Sequence, residues 1–155
     1  MHQRLRYLAH GAAALLVAAL VSGCPVQFIS LYDEQTDKAV TALQRKVDSF
    51  LVRLEGQSKP PECSHENHRR FYEEARVDLS GIQVRAGAIP QNEKTVEQLA
   101  LLASSLGSLE KLHRLKSPQA ACMDADELAP LRINFNTSFT AILKLELTKK
   151  RQAAP

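Results

Sequence analysis

Tryptophan is absent, aromatic residues make up only 5% of the chain, and there are 6 glycines and 7 prolines among 155 residues. These shortages exclude a base-stacking platform for nucleic acid and a turn-rich β fold. Nowhere do apolar and polar residues alternate with the sustained period of two that a half-buried strand requires. No Cys-x-x-Cys pair occurs, which argues against reactive or metal-binding thiols, and without Cys-x-x-Cys-His there is no c-type haem attachment. A phosphate-cradling glycine loop, a Ser-His-Asp spacing with an oxyanion loop and a catalytic carboxylate pair are all missing, so no catalysis is expected.

Charge of one sign is also scarce once the N-terminus is set aside. Residues 1–23 contain Arg4 and Arg6 and no acid, so the remainder carries 18 Lys and Arg against 17 Asp and Glu. A net charge of +1 argues against a large phosphate-binding surface, and nucleic acid is not expected as a partner. Removing those 23 residues leaves 132, enough for one domain with one core.

The N-terminus reads as an address. A basic stretch from Met1 to Arg6 precedes an apolar run from Leu8 to Val21, too short for the roughly 20 residues that span a bilayer. The run ends in Val21-Ser22-Gly23-Cys24. This segment resembles the lipobox of bacterial lipoproteins: an aliphatic residue, two small ones, then the modified cysteine. The resemblance covers the first 24 residues. It implies a signal peptide over 1–23, a lipidated anchor and tether over 24–28, and diacylation of Cys24 on sulfur, usually followed by acylation of its new amino group. Two or three acyl chains hold a protein to a membrane firmly where one does not. Pro25 stands where enterobacterial lipoproteins retained in the inner membrane commonly carry Asp, so the periplasmic leaflet of the outer membrane is favoured.

From Ile29 onward the apolar residues recur in steps of three and four, the helical period. Four seams appear: Tyr32, Thr36, Val40, Leu43, Val47, Phe50 and Leu54; Tyr72, Ala75, Leu79, Ile82 and Ala86; Leu99, Leu102, Leu106, Leu109 and His113; and Leu128, Leu131, Phe135, Ser138, Ile142 and Leu145. Breaks fall at Gly56–Pro61, Gly87–Asn92 and Ser117–Met123, with Asn92 placed as an N-cap. The expected fold is all-α, an antiparallel up-down-up-down four-helix bundle over residues 29–150. Its first helix is expected to be the longest, over 29–55, and Pro130 to fall within the first turn of the last, near Asp126. Lys149, Lys150 and Arg151 then lie at the membrane end, facing anionic headgroups or simply suiting a helix C-terminus.

Cys63 and Cys122 both fall at the end remote from the anchor. In an oxidising compartment they are expected to form a disulfide that staples the two distal loops, stabilising by roughly 3–4 kcal/mol in the chain-entropy model. Three histidines, His65, His68 and His113, point to the same end. Glu62 precedes His65 by three and Glu110 precedes His113 by three, a pattern that resembles the Glu-x-x-His pairs of di-iron and di-manganese bundles. Glu55, Asp124, Asp126 or Glu127 would supply further oxygens. Two readings stand: polar residues capping a bundle end, or a metal or proton-sensing site. Glu62 and Glu110 lie off the apolar seams, and Asn134, Asn136, Thr137 and Thr140 read as a solvated face or a polar groove.

The third helix carries apolar residues beyond its seam, and its small residues form stripes. Ala100, Leu101, Ala103, Ser104, Gly107, Ser108 and Leu112 are the candidate interface, for an envelope protein or a second copy, if the helix is not simply central in the bundle. No cofactor is implied. The expected protein is a lipid-anchored, periplasm-facing interaction module, with a small-ligand, metal-binding or pH-sensing lipoprotein as the other reading.

Overall fold

A computed structural model describes residues 29–116 and 121–153. Four helices follow in order: α1 (Glu34–Glu55), α2 (His65–Gly87), α3 (Glu93–Lys116) and α4 (Ala125–Ala153). No strand occurs among the described residues. The anticipated seams form the core: Val40, Leu43, Val47, Phe50 and Leu54 of α1 meet Tyr72, Ala75, Leu79 and Ile82 of α2. Leu99, Leu102, Leu106 and Leu109 of α3 meet Leu128, Phe135 and Ile142 of α4, and between the last two it is Phe139, not the expected Ser138, that is buried, Ser138 being only partly so.

Packing runs α1–α2, α2–α3, α3–α4 and back from α4 to α1, closing a square. Cross-links fix the directions. Asp33, just before α1, takes a two-pronged ion pair from Arg85 near the end of α2, at 2.6 and 2.7 Å. His65 opening α2 faces Glu110 late in α3, and Thr95 early in α3 bonds Glu146 late in α4. Arg132 early in α4 pairs with Glu55 ending α1 at 2.8 Å. Each link joins one helix start to the next helix end, so the bundle is antiparallel throughout.

Three expectations about the elements change. Helix α1 starts at Glu34 rather than 29, because Asp33 caps it, its carboxylate accepting from the Thr36 N–H at 3.0 Å and hydroxyl at 2.6 Å. The longest helix is α4, with 29 residues or about 43 Å. Its first turn is closed by Asp124 and Glu127: the Glu127 N–H donates to Asp124 Oδ1 at 2.9 Å, and the Asp124 N–H to Glu127 Oε2 at 3.1 Å. That places Pro130 in the second turn, where it withholds a hydrogen bond from the Asp126 carbonyl. Both residues are exposed.

The last seam is also re-drawn. After Ile142 it continues through Glu146 and Lys149, 1% and 3% exposed, while Leu145 is only partly buried. Lys149 therefore does not face outward. Its ammonium donates to Glu146 Oε1 at 2.6 Å, Asn92 Oδ1 at 2.6 Å and Thr95 Oγ1 at 2.7 Å. Asn92 does precede α3, its carbonyl accepting from Val96 N–H, but its carboxamide serves this network, also accepting from Ser30 Oγ and donating to Ala86 O. Three acceptors around one ammonium, one of them a carboxylate, are what make burial of a lysine tolerable.

Candidate functional site

The end of the bundle opposite this network is built around histidine. In α2, His65, His68 and Tyr72 are spaced by three and four and share the buried face; in α3, Glu110 and His113 do the same. Because α2 starts where α3 ends, these two sets meet.

His113 is completely buried and uses both ring nitrogens. Nε2 lies 2.8 Å from the Cys63 carbonyl, which only accepts, so Nε2 carries the proton. Nδ1 then accepts from the Tyr72 hydroxyl at 2.8 Å. The neutral imidazole is thus satisfied on both sides. Burial pushes its pKa down, aided by nearby His65 and opposed by the Cys63 carbonyl. Burial likewise lowers His68, with His113 and Arg53 adding to the effect; its Nε2 lies 2.8 Å from Gln57 Oε1. The Tyr72 hydroxyl is held protonated by burial and by the charge of Glu110.

The rings pack as a cluster. His113 lies 5.8 Å from His65 and 5.7 Å from His68, centroid to centroid, and Phe50 of α1 meets His68 at 5.3 Å and Tyr72 at 5.4 Å. Glu110 closes one side. Its carboxylate accepts from Arg76 at 2.6 Å and Arg114 at 3.0 Å, and lies 3.4 Å from His65 Nε2.

Cys63 and Cys122 are joined in a disulfide, Cα atoms 5.4 Å apart, tying the loop before α2 to the one before α4. Since His113 bonds the carbonyl of Cys63, the covalent staple and the histidine cluster share a residue.

The sequence-derived ligand set is therefore divided. His65, His68, Glu110 and His113 come together, with Glu110 buried rather than off the core, whereas Glu62 is exposed and precedes α2. His113 has no ring nitrogen left for a metal. Among the described residues, no group of three or more His, Cys, Asp or Glu side chains is placed to hold one. Arg76, Arg114 and Gln57 are partners that the sequence pattern did not single out, and Tyr72, expected only as a seam residue, is a fourth.

The proposed α3 face is turned outward. Ala100, Leu101, Ser104, Gly107 and Ser108 are exposed, while Ala103 and Leu112 are partly buried against the core. Leu101 and Leu115, 59% and 57% exposed, flank the small residues, and a Cβ added at Gly107 would meet nothing within 4 Å. Within α4, Asn134, Asn136, Thr137 and Thr140 are also exposed. Cys24 and the lipobox lie outside the described residues. No described helix is long and apolar enough to cross a membrane. No protein-family model matches the chain, and no curated protein or solved structure matches it at a significant level.

Proposed function

We propose that this chain is a lipoprotein of the bacterial envelope, held by acylated Cys24, whose four-helix bundle is a non-catalytic protein-interaction module facing the periplasm. The outward face of α3 carries the interaction reading. It presents two exposed leucines around small residues, on a helix whose inner face already packs against both neighbours. Small side chains there let a partner helix approach closely.

Export to an oxidising compartment is supported by the Cys63–Cys122 disulfide. Anchoring is supported by the short tether. Ser30 is already bonded to Gln91 and Asn92, leaving five residues between it and Cys24. At ~3.5 Å per residue that is a reach of about 20 Å, so the network end of the bundle would rest near the lipid.

The decisive experiment is fractionation of the Cys24→Ser variant. The protein should move from the membrane fraction to the soluble periplasm, and continued membrane retention would reject the anchor.

A further inference from the structure

Between α1 and α2, on the flank of the bundle beside the histidine cluster, lies a cleft of about 440 Å³. That is within the size range of small-molecule sites. Its floor is aromatic: the half-buried Phe71 ring stacks on buried Phe50 at 3.7 Å and 14°. Phe50 is braced in turn by His68 and Tyr72, so the floor is built before any ligand arrives.

The rim holds three cations with unequal partners. Lys46 is taken by Asp78 at 2.6 Å and Glu74 at 3.6 Å, and Arg70 by Glu74 at 2.7 Å. Arg53 has no carboxylate within 4.0 Å among the described residues. Its charge is nonetheless felt inside the cleft, where it helps keep His68 neutral. Asn67 also lines the cleft, oriented by a 2.6 Å bond to the Pro61 carbonyl.

We propose that this cleft binds a small monoanion with an apolar body, of the aryl carboxylate class, with Arg53 as the anchor and Phe71 as the platform. A planar guanidinium offers two parallel donors to a carboxylate. The single uncompensated positive charge matches one negative charge, whereas a phosphate dianion would bring a second with no counterpart. The aromatic floor rewards an apolar body that an inorganic anion lacks.

The test is a calorimetric titration of the full chain with 2-naphthoate, alongside the uncharged 2-naphthalenemethanol, with the ring resonances of His68 and Phe71 followed by NMR. Naphthoate should bind, move both rings and raise the midpoint of the His68 titration. Arg53→Gln and Phe71→Ala should each weaken it about tenfold or more. Arg53→Lys, which keeps the charge but not the fork, should recover part of the loss. Arg151→Gln, which removes an exposed cation at the opposite end, should change nothing. Equal binding of the alcohol, indifference to Arg53→Gln in a variant of unchanged melting temperature, or no saturation by about 1 mM naphthoate would overturn the assignment. None of these outcomes touches Cys24 or the α3 face, so the envelope reading is tested separately.

Discussion

His113 concentrates the chemistry of one end of the molecule in a single ring. It bonds α2 through Tyr72 and the stapled loop through Cys63, and its neighbours are His65 and His68 of α2, Phe50 of α1 and the more distant charge of Glu66. Because His113 and His68 are held neutral when folded, the unfolded chain takes up protons first as the pH falls. Stability is therefore full above the ordinary histidine value of 6.5 and is lost as the pH drops below it toward the folded values. Urea midpoints measured between about pH 7.5 and about pH 5 should decline, and His113→Gln, which keeps a donor for Cys63 without titrating, should flatten the decline. A flat profile in the parent protein would remove the effect. At the other end, Lys149→Met strands a buried Glu146 and should cost about 3–5 kcal/mol, whereas adding Glu146→Leu should recover most of it. Denaturation of the single and double variants decides this. Glu110 and Lys149 were not legible as core residues, since pattern reading assigns charge to the surface. Their burial depends on partners from outside their own helices: Arg76 of α2 for the one, Thr95 of α3 and Asn92 just before it for the other.

Helices were legible because their seams are long and regular, and each of the first three is buried along the residues that its period names, except Tyr32, which precedes α1 and is only partly buried. Their starts were less legible. Asp33 with Thr36, and Asp124 with Glu127, are local side-chain caps that override the apolar period, although both patterns stand in the sequence. The α4 cap also moves Pro130 deeper than its chemistry prefers, at a position where Asp126 and Pro130 are both exposed. The disulfide acts at this scale, linking the approaches to α2 and α4 across 59 positions. Cys63→Ser should lower stability by about 4 kcal/mol in the chain-entropy model and alter non-reducing mobility. An unchanged melting temperature would show that the histidine cluster holds that end alone.

For the whole molecule, the square of helices followed from the count of seams and the shortness of the loops, while the two polar ends did not. Both ends are assembled from residues distant in the chain, which spacing alone does not bring together. The α3 face separates stability from association. With open space around Gly107, Gly107→Ala should raise stability by about 1 kcal/mol. Gly107→Leu should leave the fold intact and abolish crosslinking to a partner or second copy; persistence of the crosslink would place the interface elsewhere.

The attachment of the N-terminal segment also has a mechanical meaning. Ser30 is bonded to the turn between α2 and α3, and Asp33 to Arg85 of α2. A pull entering at residue 29 is therefore not carried by α1 alone. It is spread at once over α2 and α3, and reaches α4 through Asn92 and Lys149. If the proposed anchor bears load, the bonds at Ser30 and Asp33 share that load among the helices rather than leaving α1 to peel away by itself.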